Sequence, residues 1–267
     1  MYEGFLVMIK IATPISHLFE NLSDAQYITN NSDCLECRDR SFNVNLPNQE
    51  VFHCNIQPIH KLSKDAFYYL EKILKIKPDL KLITFHAASS CTKPYISEKM
   101  FQKGGVQYSR DDMLKNAREN IPQIKAIYGS QVNVAIENNN YYPTEAYRWI
   151  TDADFIKQVV YENDISFVFD FAHANITSHN GKLNYEDYKC GLPLDKLIQV
   201  HICGYAIGKD NIAYDEHSIP GQEEWEELRS MLSSACDLIY LTVEYYKDTG
   251  KLIESLKEVR KIINELP

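Results

Sequence analysis

Ser166–Phe171 reads SFVFDF, a short run that is apolar almost throughout and carries a carboxylate near its end. A strand with one wet face alternates polar and apolar residues. One without that alternation is buried on both sides, as in a parallel sheet covered by helices. Similar runs lie on either side of it. Val7–Thr13 (VMIKIAT), Asp33–Cys37, Val51–Ile56 (VFHCNI), Leu80–His86 (LKLITFH) and Val132–Asn138 (VNVAIEN) come before; Leu197–Cys203 (LIQVHIC) and Leu238–Tyr245 (LIYLTVEY) come after. Between several of them lie stretches with helical spacing: Lys61–Ile76, Ser109–Tyr128, Asp152–Asn163, Gly221–Ser234 and Gly250–Leu266. Ser109 and Thr151 are candidate N-caps. Strands alternating with helices predict an α/β protein, and eight strands in this length predict a (β/α)8 TIM barrel. The connections after the second and sixth strands read as short or irregular, so the barrel is expected to be somewhat irregular.

The bulk composition agrees. A chain of 267 residues with 45% hydrophobic content can fill one large core. No Pro/Gly/Ser linker and no repeat divides it, so residues 1–267 read as a single domain. No apolar run reaches membrane-spanning length, and MYEGFLVMIKI at the start is too short and too mixed for a signal peptide. Seven scattered cysteines fit reduced thiols, and the expectation is a cytoplasmic protein away from membranes. A net charge of −9 argues against a general nucleic-acid binder.

The chemistry-bearing residues sit at the strand ends. His53 lies in FHCN, His86 ends ITFH, Glu137 ends VAIE, Asp170 ends FVFD, His201 lies in QVHIC and Glu244 in LTVE. In a parallel barrel these ends open on one face. Asp170-x-x-His173 and Asp215-x-His217 add two carboxylate–imidazole pairs. Taken singly, each has an ordinary explanation: a satisfied core histidine, a helix cap, or a glutamate paired with a cation. Together they would crowd charge into one desolvated mouth, which is costly without compensation. A multinuclear metal site supplies it. Imidazoles and carboxylates without an obligatory thiolate suit iron, manganese or zinc.

Other features point less far. His17, His60 and His179 read as structural or solvated. Cys34-x-x-Cys37 has no second pair, and strand alternation places its thiols on opposite faces. Tyr141, Tyr142, Tyr205, Tyr245 and Tyr246 flank the ligands and either line a pocket or pack the barrel. No phosphate-binding glycine loop and no nucleophile elbow is present.

The order His53, His86, Glu137, Asp170-x-x-His173, His201, Asp215-x-His217, Glu244 resembles that of the xylose-isomerase-like barrels that include endonuclease IV. That resemblance implies that Glu137 bridges two metals. His53 and His86 would complete one, Asp170, His201 and Glu244 the second, and His173, Asp215 and His217 a third. The local wording is more similar to a sister family, the multinuclear non-heme iron-dependent oxidative enzymes. It is carried by IENNNYYPTEAYRWITDADF (Ile136–Phe155), FDFAHANITSHN (Phe169–Asn180), LPLDKLIQVHICGY (Leu192–Tyr205), YDEHSIPGQEEW (Tyr214–Trp225) and TVEYYKD. This resemblance implies two or three iron ions, with zinc or manganese as alternatives. It implies dioxygen-dependent remodelling of cysteine or another residue in a ribosomally made peptide, and a separate peptide-binding partner protein.

The chain departs from that family where His173 stands in place of the more usual Asn and Tyr205 replaces a second His. On this resemblance Glu137, Asp170 and Tyr205 are candidates for the chemistry, and Asn138 and Tyr141 for substrate contacts. A zinc phosphodiesterase acting on abasic DNA and a metal-dependent sugar isomerase or epimerase are the alternatives, followed by a metal-free binding barrel.

Overall fold

Apolar runs that expose no polar face can hide their backbone only by pairing on both sides, and in the computed structural model the eight of them close into a parallel barrel. The structure describes residues 9–233 and 238–266. Val7 and Met8 of the first expected strand, most of MYEGFLVMIKI and Ser234 at the end of one expected helix lie outside them. In chain order the elements are β1 (Lys10–Pro14), α1 (Leu22–Asn31), β2 (Cys34–Arg38), β3 (Val51–Cys54), α2 (Lys64–Ile76) and β4 (Leu82–His86). Then come β5 (Tyr95–Ser97), β6 (Met100–Gln102), α3 (Arg110–Tyr128), β7 (Asn133–Glu137), α4 (Ala153–Asn163) and β8 (Ser166–Asp170). The rest are α5 (Phe171–Gly181), α6 (Tyr185–Gly191), β9 (Leu197–Ile202), β10 (Gly204–Ile207), β11 (Ala213–Ser218), α7 (Gln222–Leu232), β12 (Tyr240–Val243) and α8 (Thr249–Asn264). The barrel runs β1-β12-β9-β8-β7-β4-β3-β2 and closes.

Side-chain alternation divides each strand between two cores. Outward residues such as Ile83, Ile136, Phe167 and Phe169 pack with Ile121, Ile124 and Val159 from the surrounding helices. Inward, each barrel strand gives one residue to a separate plug: Ala12, Cys34, Val51, Leu82, Ala135, Val168, Ile198 and Tyr240. Cys34 belongs to the plug and Cys37 to the outer core, so the two thiols do face opposite ways.

The helices start where local chemistry satisfies their free N–H groups. The Ser109 hydroxyl accepts from the Asp112 N–H in a capping box. Thr151 does not cap α4: Asp152 holds the N-cap position, without a side-chain hydrogen bond. The connection after β2 holds only a short 3-10 turn at Asp39–Ser41, as irregular as expected. The connection after β8 is instead helical throughout most of its length, as α5 and α6. Two hairpins, β5–β6 and β10–β11, are added to the barrel. Gly204 permits the second of these, because a Cβ there would come 2.4 Å from the Ser218 hydroxyl and 2.8 Å from the Ile219 carbonyl oxygen.

Candidate metal centre

The plug fixes where the candidate ligands fall. Two residues beyond Ala135, Val168 and Val51, on the same inward face, stand Glu137, Asp170 and His53. Four residues beyond Leu82 and Tyr240 stand His86 and Glu244. Strand register then levels them: His86 is paired with Glu137 and Asp170 with His201. Period-two alternation thus converts a ladder of sequence positions into a ring of side chains at one mouth.

Glu137 is at the centre and only 1% exposed. Its Oε1 lies 2.9 Å from His201 Nδ1, and its Oε2 lies 2.8 Å from His86 Nδ1 and 3.6 Å from His53 Nε2. Neither oxygen has a hydrogen-bond partner among the described residues, because the approaches lack the angle of a bond. Asp170 divides its work. Its Oδ1 accepts from the His173 backbone N–H at 2.7 Å and caps α5, while Oδ2 is buried without a partner. The cap and the candidate ligand are one residue.

The imidazoles are held from behind. His53 Nδ1 meets the Thr84 hydroxyl at 2.6 Å, leaving Nε2 to face His86 Nε2 at 2.5 Å. His173 Nδ1 donates to the Asn138 carbonyl at 2.9 Å, leaving Nε2 3.7 Å from Asp215 Oδ2. His217 takes a left-handed backbone (φ 46°) that places it between two carboxylates, Asp215 Oδ1 at 2.9 Å and Glu244 Oε2 at 3.1 Å. Such a conformation is costly for a non-glycine residue, and here it aims a side chain.

Several three-group clusters could hold an ion: His53–His86–Glu137, Glu137–Asp170–His173 and Asp170–His201–Glu244. A fourth, Glu36–His53–His201, contains a residue the sequence reading missed. Glu36 is fully buried, and Arg38 beside it bonds both Glu36 and Glu244. The third trio, His173, Asp215 and His217, is chained through Asp215.

The electrostatics follow from this crowding. Burial pushes the Glu137 carboxyl up, but His86, His201 and His53 outweigh it and hold it well below the usual range. Burial raises the Asp170 carboxyl. Burial disfavours charge on His173, yet Asp170, Asp215 and Glu137 raise its value to about 10. His201 is raised to about 10 against the same penalty, by Glu36 and Glu137. Without cations, the raised values of His173 and His201 favour protons on those two rings, which offset the buried carboxylates around them. The orphaned oxygens and ring nitrogens fit a set of transition-metal ions.

The remaining candidates lie further out. Both polar atoms of the buried Asn138 amide latch the Asp170 backbone, at 2.8 and 3.0 Å, so it positions that carboxylate. Tyr141 lines an outer cleft of about 640 Å³ with Gln102, Glu145 and Trp149. Tyr205 pairs with Asp215 across the β10–β11 hairpin, and burial, then Glu224 and Glu223, push its phenol up. The Tyr142 hydroxyl accepts from the Asp215 N–H at 3.4 Å. Above it the two hairpins enclose a cleft of about 410 Å³ lined by Lys99, Met100, Ile212 and Tyr214. His60 and His179 bond backbone carbonyls, of Ser89 and Asn211. The described cysteines are free thiols, and no helix among the described residues is long and apolar enough to cross a membrane.

Solved structures share this architecture at low identity. The IOLI protein with a bound zinc atom matches with a TM-score of 0.66 at 13% identity, over 97% of this chain and 99% of that one. A D-tagatose 3-epimerase-like protein matches at 0.63 and 18%, over 96% and 99%. The 3-keto-D-glucoside 4-epimerase YcjR from E. coli matches at 0.58 and 16%, over 96% and 99%. These likenesses establish the xylose-isomerase-like fold. In sequence, a UPF0276 protein of Acaryochloris marina is 24% identical over 112 residues, 42% of this chain and 40% of that protein. One from Nitrosospira multiformis is 26% identical over 84 residues, 32% of this chain and 30% of that protein. The match therefore spans well under half the length of either relative. A family model described as RiPP precursor modification enzyme MbnB/TglH/ChrH matches residues 106–266, a segment that holds Glu137, Asp170, His173, His201, Asp215, His217 and Glu244. That segment is more than half of the chain, and the chain belongs to this family.

Proposed function

We propose that this chain is a multinuclear non-heme iron-dependent oxidative enzyme. It would use two or three iron ions and dioxygen to modify a cysteine or another residue of a ribosomally made peptide, together with a separate peptide-binding partner protein. One observation carries the metal part. Glu137 is buried, both of its oxygens lack a hydrogen bond, and each faces a different imidazole group. A carboxylate so placed suits a bridge between two cations. Family membership supports the peptide part.

Iron, when bound, would supply the electron transfer and dioxygen activation that side chains lack. The chain supplies the rest. His53, His86 and Glu137 would hold one ion, Asp170, His201 and Glu244 a second, and His173, Asp215 and His217 a third. Thr84 and the Asn138 carbonyl fix which ring nitrogen of His53 and His173 faces the centre. The cleft between the hairpins would offer an extended peptide a binding surface beside the site, with Tyr142 tying its wall to Asp215.

Protein purified without chelators should contain two or three iron, manganese or zinc ions per chain by elemental analysis. Less than one ion per chain would sink the metal reading. Iron-loaded protein should consume oxygen when given its precursor peptide, and an iron-loaded protein that consumes none with any candidate precursor counts against the oxidative reading.

A further inference from the structure

Glu36 is a buried carboxylate that none of the resemblances above assigns a role. It is 0% exposed and lies on β2, facing into the barrel one layer below the mouth. Its Oε1 accepts from Arg38 Nε at 3.2 Å and Nη2 at 2.9 Å. Its Oε2 accepts from Gln199 Nε2 at 2.8 Å and from the Thr242 hydroxyl at 3.2 Å. The same Oε2 stands 3.2 Å from His201 Nε2, off the angle of a finished hydrogen bond. The other ring nitrogen, Nδ1, faces three carboxylates: Glu137 at 2.9 Å, Glu244 at 3.3 Å and Asp170 at 3.9 Å.

We infer that Glu36 is a positioning residue for the metal centre, not a metal ligand. It receives the Nε2–H of His201, which leaves Nδ1 as the donor towards the ion shared with Asp170 and Glu244. Two facts argue against direct ligation. Four side-chain donor contacts already occupy its oxygens, and the guanidinium 2.9 Å away would repel a cation there. Arg38 extends the arrangement, since it also pairs with Glu244. The chain thus holds both an imidazole and a carboxylate of one ion's shell through a Glu36–Arg38 unit beneath it. A carboxylate behind a ligating histidine fixes its tautomer and ring orientation and raises its basicity.

The inference rests on the proposed metal centre but not on iron, dioxygen or a peptide, so its test needs none of them. Metal-free protein is titrated with Co(II) and followed by visible absorption and elemental analysis. Glu36→Gln keeps the shape of the side chain. It should lower affinity for one ion by about 10- to 100-fold and change the ligand-field spectrum of that ion, with the final stoichiometry at saturation unchanged. Thr242→Val removes one contact to Oε2 but keeps the carboxylate, and should give a smaller loss at the same ion; it covers the case in which Glu36→Gln does not fold. Wild-type affinity and spectrum in a folded Glu36→Gln, or in Thr242→Val if only that variant folds, would overturn the inference. A stoichiometry one whole ion lower at saturation would overturn it too, by making Glu36 a ligand. Wild-type protein that takes up no Co(II) would sink the metal centre itself, and the inference with it.

Discussion

The inside of this barrel has two levels built from the same strands. The lower level is apolar but for the Tyr240 hydroxyl: Ala12, Cys34, Val51, Leu82, Ala135, Val168, Ile198 and Tyr240 fill it. The upper level gathers His53, His86, Glu137, Asp170, His201 and Glu244, nearly all of them buried, with Glu36 just beneath them. Two to four residues of strand separate a position that stabilises by leaving water from one that is costly for the same reason. A fold can tolerate the second only above a rigid instance of the first. The plug sets the geometry, and the layer above it holds the proposed metal centre.

Changing one residue in each level separates their roles. Glu137→Gln leaves the volume of the upper level alone but removes the charge between His86 and His201. Metal content by elemental analysis is expected to fall below one ion per chain. Leu82→Ala, in the plug, should cost about 2–5 kcal/mol in denaturant unfolding, while the protein that remains folded binds metal at the wild-type ratio. If Leu82→Ala strips the metal or Glu137→Gln retains it, the division of labour is wrong.

pH probes the upper level alone, with a smaller effect. In the metal-free protein, burial opposes charge on His173 and His201, yet the surrounding carboxylates raise both from an ordinary value of 6.5 to about 10. A raised folded value stabilises fully below 6.5, and that contribution is lost as pH climbs through about 10. Thermal unfolding of chelator-treated protein should therefore move to lower temperature across this window. Metal-loaded protein should not follow it, because ligating imidazoles are already neutral and binding has expelled their protons. Parallel curves for the two forms would mean that these imidazoles do not meet the metal.

The two levels also differ in how much of them the sequence disclosed. The barrel was legible because strands buried on both faces leave continuous apolar runs, and because ligands at strand ends must share a mouth. Glu36 and Arg38 were not. They fall within CLEC-R, where the two cysteines drew attention as a thiol pair, and the Glu36 partners on β9 and β12 are distant in the chain. The helix after Asp170 escaped for a different reason: Phe171, Ala172, His173, Ala174, Ile176, Thr177 and Ser178 are all buried, so it shows no amphipathic stripe. Thr151 and Asp152 illustrate the usual one-residue uncertainty of a helix start.

The least effect is expected where the rim of the mouth would have to bind a phosphate backbone. A trinuclear zinc site can hydrolyse a phosphodiester without redox change, and the ligand order from His53 to Glu244 resembles such a site. Cleaving abasic duplex DNA also needs cations that track the strand. The segments that follow β4, β7 and β9 carry Lys93, Lys99, Lys103, Arg110, Arg148 and Lys209, interleaved with Glu98, Asp111, Asp112, Glu145, Asp210 and Glu216. Arg110 is paired with Asp154 at 3.0 Å, Lys99 lies over the Tyr214 ring at 4.7 Å, and Arg148 lies over Trp149 at 4.9 Å. The cations are thus spread among carboxylates, and half of them already hold partners within the chain. Neither iron- nor zinc-loaded protein should incise an abasic duplex above the metal-free control, even at low salt where such contacts are strongest. Efficient incision that falls steeply with salt would overturn the oxidative reading and make this upper level a phosphodiesterase centre.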